Sequence, residues 1–161
     1  MSTQRRKGGR GQALVEFALV IPILLLILFA IIDVGRYVYS WNAINEASRA
    51  GARTGSVALW PPDCNGLDRE TCVKTIAKNR LTAVSIALTD VKVQCQRRAS
   101  SGALSGLQLN NCGGDPTWRA NDIMTVTITS RFTLLTPIVA QLIDAGNPLL
   151  TMTGQTTVTV D

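Results

Sequence analysis

The chain has 161 residues, sixteen of them basic and eleven acidic, and no histidine. The missing imidazole removes the commonest general base and the commonest metal ligand, so no Ser/His/Asp or Cys/His set can be assembled and an enzyme is not expected. Four of the positive charges, Arg5, Arg6, Lys7 and Arg10, lie in the first ten residues; beyond Gly11, twelve basic residues face eleven acidic ones. The charge therefore marks a short leader, not a nucleic-acid surface.

Residues 1–11 read as this basic, Gly-rich leader. From Gly11 the composition changes abruptly to GQALVEFALVIPILLLILFAIIDVGR. Gln12 to Ile32 is 21 residues, or about 31 Å of helix, enough to cross a bilayer. A transmembrane helix is expected over 12–33, with a kink at Pro22, which removes one helical hydrogen bond. Basic residues precede the span and none matches their density just after it. The positive-inside rule then places the N-terminus in the cytoplasm and the remainder outside, a single pass through the cytoplasmic membrane lipid. An ordinary secretory signal fits less well, because the apolar run continues into Asp33-Val34-Gly35-Arg36 without a small-residue cleavage site near its end.

Past the membrane the helical pattern continues. Val34, Tyr37, Val38, Trp41, Ile44, Ala47 and Gly51 follow three- and four-residue steps and form one apolar stripe, with Arg36, Asn42, Glu46, Arg49 and Arg53 on other faces. Asp33, Arg36, Tyr37, Tyr39 and Trp41 fit the outer membrane interface, where aromatic rings are favoured. Glu46 and Arg49 are spaced to pair at i, i+3. The extension over 34–60 should end near Leu59, ahead of Pro61 and Pro62. The small residues from Ala47 to Ala52 permit close approach, either to the chain's own sheet or to a neighbouring subunit.

Residues 61–161 read as an exported α+β domain. A second amphipathic helix is expected over Arg69–Leu88, with Val73, Ile76, Ala77, Leu81, Val84 and Leu88 on one face. Strands are expected over Val91–Gln96, Asp122–Leu134 and Thr151–Val160, with a long loop over Ala99–Asp115 and a short apolar segment over Pro137–Ile143. The fold class is α+β: a long N-terminal helix, its first half transmembrane, packed with a second helix on a small antiparallel sheet. Cys64, Cys72, Cys95 and Cys112 lack metal-binding spacing, and four cysteines outside the cell fit two disulfides. Three connectivities are open, of which the local pairs Cys64–Cys72 and Cys95–Cys112 are preferred. No cofactor and no metal are expected. Gly8-Gly9-Arg10-Gly11 lacks the lysine of a P-loop. Asp63, Asp68, Asp115 and Asp122 lack EF-hand spacing, which leaves them to turns and caps.

The run Gly11-Gln12-Ala13-Leu14-Val15-Glu16-Phe17 resembles the processing site of type IV pilin-like proteins. Followed by the Ile/Leu run and IIDVGRYVYSWNAINEASRAGART, it resembles the TadE-like family of minor pilins in Tad pilus systems. Asp33, Gly35 and Arg36 match that family's Asp/Asn-Gly-Arg stretch. Ser48, Arg49, Gly51, Ala52 and Arg53 match its Ala-Arg-x-Gly-Ala-Arg stretch, with Ser48 in place of Ala. The resemblance covers about Gly11 to Ser56 and is only architectural beyond.

It implies that a prepilin peptidase cuts between Gly11 and Gln12 on the cytoplasmic side. Glu16 and Phe17 would then serve assembly, the Glu16 carboxylate neutralising a mature N-terminal amine in a low-dielectric bundle. Asp33, Gly35, Arg36, Arg49, Gly51 and Arg53 would serve helix packing. Expected partners are other pilin and pseudopilin subunits and the inner-membrane assembly platform, and the expected role is pilus biogenesis and adherence. The alternative is an uncleaved, signal-anchored protein that binds a ligand outside the cell.

Overall fold

The computed structural model describes residues 9–57, 64, 66–83, 86, 88–109, 117–136, 141 and 149–161. Helix α1 runs without interruption over Gly9–Ser56, through Pro22. Helix α2 spans Arg69–Ala83, followed by strands β1 (Leu88–Gln96), β2 (Gln108–Leu109), β3 (Ile123–Thr133) and β4 (Leu149–Thr159). The strands form one antiparallel sheet in the order β2-β1-β3-β4. A long apolar helix, a second helix and this sheet make an α+β arrangement.

Several boundaries differ from expectation. Helix α1 stops at Ser56; Leu59, Pro61 and Pro62 lie outside the described residues. Helix α2 ends at Ala83, and Leu88 belongs to β1, paired with Ser130. The Leu81 carbonyl closes the helix by accepting the Ile86 N–H at 3.1 Å. The loop after β1 is partly ordered by pairing of β2 with β1 and by a turn that joins Arg98 to Leu104. Most of the apolar stretch 137–143 lies outside the described residues.

The chain divides into two compact units: residues 1–36 with 134–148, and residues 37–133 with 149–161. The core of the second unit follows the alternation of its strands. Val91, Val93 and Cys95 on β1, Met124, Val126 and Ile128 on β3, and Met152 on β4 are buried on one face. Burying each of the larger side chains contributes roughly 1.5–3 kcal/mol. The outward positions Thr127, Thr129, Thr153 and Thr157 are more exposed, and β-branched side chains suit such a half-solvated pleat.

The C-terminal half of α1 lies on this inner face. The register places Val91, Ile128 and Gly154 in one row across the sheet. A Cβ at Gly154 would sit 2.7 Å from Ile44 Cγ2, so the missing side chain makes the seat for fully buried Ile44. One turn further along α1, buried Ser48 hydrogen-bonds the Thr156 hydroxyl at 2.7 Å and donates to the Asn45 carbonyl.

Helix α2 begins at Asp68, whose carboxylate accepts the Thr71 N–H at 3.3 Å as an N-cap. The Thr71 side chain above all, with the Thr71 and Glu70 amides, holds the Asp68 carboxyl below its ordinary 3.8 against the opposing effect of burial. Val73, Ala77 and Leu81 form its buried face. The far end of α1 is closed by groups from distant sequence. The Asp161 N–H reaches the Ser56 carbonyl at 2.9 Å, and Arg69 donates to the Gly55 carbonyl. Both satisfy orphan carbonyls of a helix terminus. The Arg69 guanidinium also lies 5.9 Å from the centre of the Trp118 ring.

Candidate functional site

With no cluster of catalytic side chains expected, the surfaces of α1 are the candidate site. Its apolar segment is uncovered. The most hydrophobic 18-residue window has a mean hydropathy of 3.0 and none of it is buried by the chain. Leu14, Val15, Phe17, Leu19, Ile23, Leu24 and Ile31 are exposed, Phe17 by 62%. Each such side chain forgoes roughly 1.5–3 kcal/mol of burial if left in water. One helix of this length and composition is compatible with a single membrane span. Around Ala30 the surface dips into an apolar hollow of about 320 Å³ lined by Leu26, Ile27, Ile31 and Val34.

Gly11, Gln12, Glu16 and Phe17 all lie on the exposed start of this helix. A Cβ at Gly11 would touch nothing within 4 Å among the described residues, so neither their packing nor the backbone geometry requires glycine there. Gly35 is likewise exposed with open space beside it. Glycine in a helix interior costs about 1 kcal/mol relative to alanine, and at Gly35 no close approach of the described residues calls for it.

Asp33 is different. It is 2% exposed, and its carboxylate accepts the Leu135 and Thr136 backbone N–H groups, each at 3.0 Å, and the Thr136 hydroxyl. Arg36, partly exposed, approaches the same carboxylate at 3.4 Å. Asp33 thus anchors the segment that follows β3 to α1 within the first unit. Local sequence does not disclose this role, because the partners are 102 and 103 residues away and offer mainly backbone groups.

In the second unit, the small-residue stretch divides by face. Ala47, Ser48, Gly51 and Ala52 are buried, and a Cβ on Gly51 would meet Val73 Cγ1 at 3.3 Å and Ala77 Cβ at 3.5 Å. One turn on, a Cβ at Gly55 would fall 2.4 Å from Met124 Cε. The small residues therefore bring α1 against α2 and the sheet. Arg49 and Arg53 face outward and, with Arg80, rim a groove of about 470 Å³ that also includes Glu46, Ala50, Thr54 and Ile76. Glu46 and Arg49 do not form an ion pair among the described residues. Val34, Val38 and Trp41, expected in the apolar stripe, are exposed, whereas Ser40 is buried. Tyr37 stacks edge-on against Phe132 with ring centres 5.7 Å apart.

Cys64 and Cys72 are joined in a disulfide with a Cα separation of 5.1 Å, tying the approach to α2 to its first turn. Cys95 is disulfide-bonded as well; Cys112 lies outside the described residues. Of the acidic residues weighed as calcium ligands, Asp68 caps α2. Buried Asp122 accepts the Arg119 N–H at 2.8 Å and pairs with Arg97 at 3.4 Å. Asp63 and Asp115 lie outside the described residues.

In comparison with known protein families, residues 11–53 fit the family described as TadE-like protein. No curated protein and no solved structure matches the chain.

Proposed function

Because residues 11–53 fit the TadE-like family, we propose that the chain works in a Tad pilus system and is a minor pilin. A prepilin peptidase removes residues 1–11, leaving Gln12 as the new N-terminus. Residues 12–33 remain in the cytoplasmic membrane with the N-terminus inside, and the α+β domain, with its disulfides, projects outside. From the membrane the apolar helix joins other pilin subunits at the assembly platform, and the mature protein serves pilus biogenesis and adherence. The observation that carries this reading is an apolar helix, none of whose most hydrophobic window is buried, running unbroken into a folded, disulfide-bearing domain. A cleaved secretory signal would be lost on export, whereas here the same helix supplies the core residues Ile44, Ala47 and Ala52.

Gly11 supports the cut site, because no packing among the described residues calls for a glycine there. Glu16 lies four residues after Gln12, one helical turn. An exposed carboxylate at that depth is costly in lipid and is relieved by a nearby amine. In Glu16→Ala the leader should still be removed, but the protein should disappear from sheared surface filaments on immunoblot. Normal incorporation of Glu16→Ala into filaments would count against the assembly role of the carboxylate.

A further inference from the structure

We propose that the groove between α1 and α2 receives a carboxylate-bearing segment of a neighbouring pilus component, an inference that rests on the assembly role above. Its rim carries Arg49, Arg53 and Arg80 against a single carboxylate, Glu46, and its floor is Ala50, Thr54 and Ile76. None of the three arginines forms an ion pair among the described residues, whereas Arg36 and Arg97 each have a carboxylate within 4 Å. Arg49 and Arg53 are spaced i, i+4 on one helix, and like charges so placed destabilise it by a few tenths of a kcal/mol. Arg53 and Arg80 each lie in the last turn of their helices, where a cation is favourable. Arg49 stands a turn earlier and gains nothing comparable.

The groove therefore carries three cations that pair with no carboxylate among the described residues, one of which, Arg49, has no helix-terminus position to favour it. Guanidinium groups are suited to bidentate recognition of carboxylates, and a long-range basic rim steers an acidic partner into register. The small and apolar floor admits the backbone or aliphatic stem of a bound segment between the charges.

The test uses the full chain in neutral detergent micelles and a fluorescein-labelled Glu/Ala helical peptide of about four turns, with a Lys/Ala peptide as control. Fluorescence anisotropy should show binding of the Glu/Ala peptide only. Arg49→Gln with Arg53→Gln should weaken it about tenfold, and Arg80→Gln alone about threefold, as expected for partly exposed charge pairs. Arg131→Gln, an exposed cation on β3, should leave it unchanged, and the leader is common to all variants. An unchanged melting temperature checks that the variants remain folded. No binding, equal binding by the groove variants, or an equal loss in Arg131→Gln would overturn the proposal. Groove-dependent peptide binding, combined with a protein extracted from membranes that still carries residues 1–11, would instead count against the pilus reading while leaving the groove assignment intact.

Discussion

The Asp33 carboxylate accepts the backbone N–H of Thr136 at 3.0 Å and also takes the hydroxyl of the same residue. One acidic side chain on α1 thus fixes the chain as it leaves β3. Hydrogen bonds to a charged group are worth about 1.5–3 kcal/mol each, and removing the carboxylate takes this acceptor from the Leu135 and Thr136 donors. Asp33→Ala should therefore speed amide exchange at Leu135 and Thr136 by roughly tenfold or more. Exchange measured by mass spectrometry on the detergent-solubilised chain checks this. Asp33→Asn, which keeps one acceptor oxygen, should fall between.

The seat at Gly154 gives a steric prediction. Gly154→Ala would place a methyl 2.7 Å from Ile44 Cγ2 and 3.2 Å from the Ile44 backbone carbon, which cannot swing away. Overpacking of this type costs about 1–3 kcal/mol. Gly51→Ala meets Val73 Cγ1 at 3.3 Å and should cost less. Thermal unfolding of the two variants should rank Gly154→Ala as the less stable; the reverse order would contradict the packing described.

Ser48 stands where the family resemblance leads one to expect alanine, and its hydroxyl meets Thr156 at 2.7 Å. Ser48→Ala alone should destabilise by about 1 kcal/mol, because the Thr156 hydroxyl loses a partner. Ser48→Ala with Thr156→Val removes both polar groups and should recover most of that loss. A double-mutant cycle from chemical denaturation measures the coupling.

Asp68 predicts a pH dependence. Its carboxyl is held below 3.8, first by the Thr71 side chain and then by α2 amides. A depressed carboxyl contributes stability that is present above the unfolded value and is lost as the pH falls through the folded value. Asp68→Asn, still able to cap the helix, should lose part of the stability decline below about pH 4. Melting temperatures across that range test the sign: a steeper acid decline in Asp68→Asn would contradict the assignment.

The elements with strong periodicity were legible before the structure. The Ile/Leu run announces α1, and the alternation from Ile123 to Ser130 announces β3, because each pattern matches the geometry it adopts. The stripe was half legible. Ile44, Ala47 and Gly51 are buried, but Val34, Val38 and Trp41 are not, since periodicity identifies an apolar face without saying where the sheet begins to cover it. In the sequence, a leucine at position 88 continues the three- and four-residue steps of α2, while the backbone of Leu88 pairs with Ser130 in the sheet. The roles of Asp33, Arg69 and Gly154 were not legible. Each depends on a contact with residues far away in sequence or with backbone atoms, which leave no local pattern.

The proposed processing is tested most directly by the intact mass of the protein extracted from membranes. A chain that begins at Gln12 and retains the segment through Ile32 is the predicted result. A chain that still carries Arg5, Arg6, Lys7 and Arg10, or one cut beyond the Ile/Leu run, would contradict it.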